Sequence, residues 1–300
     1  MAKITITVIF TFAIVAFMYW LWQRQPKIPQ VTTPQTTQQV TGEEREQSLQ
    51  IKPQDGSILT QNKITFEGRA KPNQTILIYS NDFASATKSD KDGNFSQNAK
   101  LVDGLNIVQI VYLENDPKQS QKYTLTYLVA AKSDPAKTNV FAGPVKSIFD
   151  NVLVITWQGK DKTINALPDA DVILPKNPKG EENEATGSAT SSIRLRDFVI
   201  AGGTLGKNGQ LTAKSLEVIR ENPPQMLAQF AQIKILNGLN KNSFSARDEI
   251  TSEIVAYSVD KNTEILQDSQ KAQAKNIVKD KKAIIVYHAQ NLADFIYLLP

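Results

Sequence analysis

Hydrophobic and polar positions divide the chain into three regimes. From Ile4 to Trp22 (ITITVIFTFAIVAFMYWLW) no residue is charged. Nineteen such residues make a helix of about 28 Å, close to the ~30 Å hydrocarbon core of a bilayer. A helix apolar on every face needs lipid or a large core around it, so residues 1–24 are predicted to be a transmembrane signal anchor. Its anchoring side chains would be Ile4, Phe10, Phe12, Phe17, Tyr19, Trp20 and Trp22; the Tyr19, Trp20 and Trp22 rings suit the headgroup layer. The run outlasts the roughly 7–15 residues of a signal-peptide core and meets no small-x-small cleavage site, so the anchor is expected to be retained. Lys3 on one side and Arg24 and Lys27 on the other leave the charge rule for orientation balanced.

The second regime, residues 25–48, is rich in Gln, Thr and Pro and has few apolar residues to bury. Pro26, Pro29 and Pro34 bias it toward extended polyproline II, a partly stiff tether.

The third regime alternates with period two. Over 49–131, Ile64 and Phe66 alternate with Thr65 and Glu67, while Ile76-Leu77-Ile78-Tyr79 and Ile107 to Tyr112 are largely apolar on both faces. Pro53 to Gly56, Lys71-Pro72-Asn73, Asp90 to Gly93 and Asp103-Gly104 punctuate the runs. Strands at this spacing argue for an antiparallel β-sandwich. The order Pro53-x-Asp55-Gly56, Ile64-x-Phe66-x-Gly68-x-Ala70-x-Pro72, Asp90-x-Asp92-Gly93-x-Phe95 and Leu101-x-x-Gly104-x-Asn106 resembles bacterial Ig-like domains related to the B domain of glucodextranase. The resemblance implies a non-catalytic module on an envelope or secreted protein. It is also what points the cargo outward, with the amino terminus in the cytoplasm.

Residues 139–224 read as a second β unit: Val145 to Ile148, Val152 to Trp157, Thr163 to Leu167, Ile193 to Leu195, Phe198 to Thr204 and Leu211 to Ile219 are predicted strands. The polar stretch from Lys176 to Ser192 is predicted to be a loop. Residues 226–300 look like a divergent copy. Val145 to Ile148 matches Ile233 to Leu236, Ala170 to Leu174 matches Asn262 to Leu266, and Phe198 to Ile200 matches Ala283 to Ile285. Both units resemble small OB-like β-barrels found on bacterial envelope proteins. The expected fold class is therefore all-β: a transmembrane helix, an Ig-like sandwich, then two barrel-like domains.

Composition changes this picture mainly by exclusion. Without cysteine there are no disulfides, thiolate metal sites or lipid-modified cysteine, which leaves the polypeptide itself as anchor. A net charge of +4 with no long single-sign run announces no polyanion-binding surface. Single-stranded nucleic acid, raised by an OB-like fold, would need aromatics interleaved with the basic residues, and no such ladder accompanies Arg194, Arg196, Lys207 and Lys214. His288, the one histidine, lacks the partners of a zinc site or triad and reads as structural. Asp90 to Asn94 resembles the start of a calcium loop, but Leu101 occupies the position of the closing glutamate, so a hairpin turn is the better reading. Asp169, Asp171 and Asp197 are the carboxylates for a glycosidase-like pair, a chance pairing being far commoner. Trp157 is the candidate ligand contact, and a core role competes with it, as for Tyr79, Tyr112, Tyr123 and Tyr127. No enzyme and no cofactor are expected. The partners implied are the lipid bilayer and then cell-wall polysaccharide or another envelope protein.

Overall fold

The alternating segments form strands wherever one face can be buried, and the turn residues break them. The computed structural model describes residues 50–299 except 133, 176–189 and 269. The predicted anchor, with Ile4, Phe10, Phe12, Phe17, Tyr19, Trp20 and Trp22, and the tether to residue 48 lie outside the described residues. Among the described residues no helix is long and apolar enough to cross a membrane. What is described is all-β, its helical content being three short 3-10 turns.

The first seven strands are β1 (Ile58–Leu59), β2 (Lys63–Arg69), β3 (Thr75–Tyr79), β4 (Ala84–Lys88), β5 (Asn94–Lys100), β6 (Gly104–Tyr112) and β7 (Gln121–Val129). They make a sandwich of a five-stranded sheet, ordered β1-β7-β6-β3-β4, and a two-stranded sheet, β2-β5. β1 runs parallel to β7, and Lys52 pairs with Glu67 to extend the smaller sheet by one strand. Phe66 and Phe95 from that sheet meet Ile76, Ile78, Val108, Ile110, Leu125 and Tyr127 from the larger one in a common core. Asp90 forms the β4–β5 turn. Its Oδ1 accepts from the amides of Asp92 (2.9 Å) and Asn94 (2.8 Å), and Gly93 supplies the left-handed backbone at φ 83°.

Next come β8 (Asn139–Phe149), β9 (Val152–Trp157), β10 (Lys160–Ile173), β11 (Phe198–Leu205) and β12 (Leu211–Ile219), which close into a barrel ordered β10-β12-β11-β8-β9. β10 is far longer than the expected Thr163 to Leu167: it starts against β9 at Lys160, and its pairing with β12 resumes at Asp171 after a register break that follows Ala166. Pro168 falls in that break, where its missing N–H costs no ladder bond. The expected strand at Ile193 to Leu195 is instead a turn: the Asp197 carboxylate accepts from the Arg194 amide at 2.9 Å, and Arg196 sits at φ 72°. A side chain that satisfies a backbone donor locally competes with a ladder.

The last unit contains β13 (Gln229–Ile235), β14 (Ser243–Asp248), β15 (Ile254–Ser258), β16 (Glu264–Gln267), β17 (Gln270–Lys271), β18 (Lys282–Tyr287) and β19 (Ala293–Leu298). Its sheet order is β15-β14-β13-β18-β19-β16-β17. Pairings repeat those of the barrel in sequence order. β13 pairs antiparallel with β14 and with β18, as β8 does with β9 and β11. β18 pairs with β19 as β11 does with β12. β16 runs parallel to β19, as β10 does to β12. Where β10 is continuous, the last unit is broken into β15 and β16, and a parallel bridge from Ser258 to Leu292 joins the end of β15 to the start of β19.

Both later units pack against the outward face of the five-stranded sandwich sheet. Leu77 and Tyr79 of β3 and Val111 of β6 point away from the sandwich core into a cluster with Ile284, Val286, Phe295 and Tyr297 of β18 and β19. Along β18 and β19 the alternate residues Ala283, Ile285, Ile296 and Leu298 fill the last unit's own core. Nearer the other edge, Ile58, Leu105 and Leu128 meet Val140, Ala142 and Ile200 of the barrel. Each fully buried apolar side chain here is worth roughly 1.5–3 kcal/mol. Residues 47–300 accordingly form one compact unit. The need to bury both faces is why β3 and β6 are apolar at successive positions.

Candidate functional site

The sandwich joins the barrel by backbone as well as by side chains. The Ile58 amide donates to Thr138 O at 3.1 Å and the Val140 amide to Gly56 O at 2.7 Å, so the start of β8 pairs with the segment that leads into β1. Gly56 lies at φ 76°, and a Cβ there would stand 3.1 Å from both the Trp157 ring and Val140 O. Only glycine fits both constraints without strain.

Beside Gly56 sits a carboxylate spanning the two units. One Asp55 oxygen accepts from the Thr126 amide at 2.7 Å, and both accept from Gln158 Nε2 at 3.2 Å. Burial pushes the Asp55 carboxyl above its ordinary range, against the opposing pull of these hydrogen bonds and of Lys162. Trp157 is 7% exposed. Its ring packs on Phe141 at 4.6 Å, its indole N–H donates to Thr126 Oγ1 at 3.1 Å, and Lys162 Nζ lies 5.8 Å over it. This residue, singled out as a ligand contact, is committed to the barrel core and the junction.

Two clefts flank the strand that carries Ile51 and Gln54. One, of about 860 Å³, is lined by that segment together with residues of β2, β4 and β5, with Lys52, Glu67, Arg69, Lys88, Asp90 and Asn94 on its walls. The other, of about 640 Å³, lies at the junction with Asp55, Lys122, Tyr123, Thr124, Gln158 and Lys160 around it. Both are within the usual size range of ligand pockets, and junctions between domains are a common place for them.

The remaining sequence candidates are dispersed. Asp197 is 7% exposed and is held by Arg220, whose Nε and Nη2 donate to it at 3.2 Å. Asp169 and Asp171 lie exposed on β10. His288 follows β18, with its Nδ1 against Asp294 Oδ2, both partly exposed. Tyr79 and Tyr127 are fully buried and Tyr112 nearly so, whereas Tyr123 reaches the junction cleft. Among the described residues no group of three His, Cys, Asp or Glu side chains could hold a metal ion.

Lys52, Gln54, Asp55, Arg69, Lys88, Lys122, Gln158 and Lys160 carried no signal in the sequence. They come from distant strands, and Asp55 reads there only as part of a Pro-x-Asp-Gly turn. Packing of the two sandwich sheets and of the barrel against them brings them together.

No family model matches the chain, and no curated protein matches it. Among solved structures, one from work on host cell surface retention of a 1.5-MDa bacterial ice-binding adhesin is similar over 84% of this chain and 95% of that one, at 10% identity. Its TM-score of 0.19 is too low to carry an argument.

Proposed function

We propose that the protein is a membrane-anchored, extracytoplasmic binding and spacer protein of the cell envelope. Its non-catalytic head consists of an Ig-like sandwich and two small OB-like barrels, the second a divergent copy of the first. The observation that carries this reading is the docking of both later units on one sandwich sheet. It gives the head a single shape held by apolar contact, with Asp55 and Asp197 already engaged by protein donors rather than converging in a reactive pocket. The strand order β7-β6-β3-β4 follows the G-F-C-C′ sheet of variable-type Ig domains, which supports the Ig-like assignment. The repeated pairings of the two later units support duplication. The charge-free run from Ile4 to Trp22 and the tether after it support attachment to the bilayer through a retained anchor.

Cells whose outer layer has been opened, with the inner membrane intact, test the location. Added protease should digest residues 49–300 while a cytoplasmic control survives. Protection of the head alongside that control would overturn the extracytoplasmic assignment. A second reading, an accessory that binds carbohydrate or peptidoglycan, is favoured by the two clefts that meet at Ile51 and Gln54.

A further inference from the structure

The clefts beside β2–β5 and at the junction share Ile51 and Gln54, so only one strand's width separates them. Lys52, Arg69 and Lys88 line the first, Lys122 and Lys160 the second, and all five are exposed. Among the described residues none of the five has a carboxylate within ion-pair distance; the cations that do are others, such as Lys71 and Lys146. Arg69 makes one long bond, 3.5 Å from Nη2 to Asp92 O. The acidic groups of the clefts are treated in the opposite way. Asp90 is occupied by the amides of its own turn and Asp55 by Thr126 and Gln158. Glu67 is the one lining carboxylate whose side chain no protein donor engages. The clefts therefore present five unpaired cations against one unengaged carboxylate, Glu67.

We propose that the two clefts form one groove for an extended anionic saccharide, a glycan bearing carboxylate or phosphate groups. Gln50, Gln54, Asn94 and Gln158 add amides, and Ser96 and Thr124 add hydroxyls, along the walls; these are groups that exchange hydrogen bonds with sugar hydroxyls in either direction. The partly exposed Tyr123 ring offers apolar surface to the face of a sugar ring. A polynucleotide fits less well, because a strand of bases is held by successive stacking aromatics and Tyr123 is the one partly exposed aromatic among the lining residues. The ligand class deepens the binding reading above, but it does not depend on the head's location, so a failure here leaves the protease result standing and the reverse also holds.

The test is binding of the full chain in nonionic detergent to four probes: a uronate oligosaccharide, a phosphorylated oligosaccharide, neutral dextran and single-stranded DNA. Either or both acidic glycans should bind, weakening as salt is raised, and which of them does identifies the acidic group. Dextran should not bind. The double substitution Lys88→Gln/Lys122→Gln should weaken the acidic glycan by about tenfold or more. Lys261→Gln/Lys279→Gln, exposed positions on the last unit, lowers the net charge of +4 by the same amount and should leave affinity unchanged. Equal loss in both doubles, DNA binding as tight as glycan, or no acidic glycan bound would each overturn the proposal.

Discussion

The ionised residues that bind the parts of the head together make their consequences measurable one at a time. Burial raises the Asp55 carboxyl in the folded chain, so the folded state holds that proton more tightly than the unfolded state, where the value is about 3.9. The resulting stability is fully present below the unfolded value and is lost as pH rises through the folded one. The stability difference between the native chain and Asp55→Asn should therefore change with pH just above the ordinary carboxylate range and be flat beyond it. Thermal unfolding from pH 3.5 to 7 checks this; a difference that does not move with pH would contradict the buried geometry. The Asp197–Arg220 pair behaves differently, because Asp197 is nearly enclosed while Arg220 is 27% exposed. Arg220→Met should cost about 3 kcal/mol by leaving a buried charge unpaired. Arg220→Met with Asp197→Asn should recover part of that in urea unfolding.

At the scale of elements, β3 carries the sharpest prediction. Leu77 is fully buried between the sandwich and the last unit, not in the sandwich core. Leu77→Asp should place a charge in that interface at a cost of several kcal/mol and release the last unit, while the core around Ile76 and Ile78 survives. Hydrogen exchange should quicken over β18 and β19 and stay slow over β2 and β5; uniform loss of protection would mean that the outer face is not a separable interface. This element also shows what was legible in the sequence. Alternation placed β2, β9 and β12 well, because one buried face leaves a period-two pattern, and β3 and β6 stood out as apolar runs between turn residues. The apolar residues on both faces of β3 and β6 were visible too, but a sequence does not name what covers the second face. The turn at Arg194 to Asp197 escaped because its cause is one side-chain hydrogen bond. The length of β10 escaped because a register break carries no pattern of its own. Lys52, Lys88 and Lys160 could not be grouped, since they stand on three different sheets whose packing no local pattern announces.

At the scale of the whole molecule, the sandwich and both later units form one compact body. The backbone bonds at Ile58 and Val140 and the apolar clusters on one shared sheet tie each later unit to the sandwich. The linker before β13 is fastened as well: the Asn81 side chain donates to Gln225 O at 2.8 Å and accepts from the Leu227 amide at 2.8 Å. Units joined this way should unfold together, whereas domains on free linkers would melt independently. Calorimetry of the full chain in nonionic detergent measures this most directly. The structure predicts a single transition for the head, with calorimetric and van't Hoff enthalpies equal and near ~170 kcal/mol, from about 0.7 kcal/mol per residue near 60 °C. Three resolved transitions of roughly 50–60 kcal/mol each, or two that divide the same total between them, would contradict it.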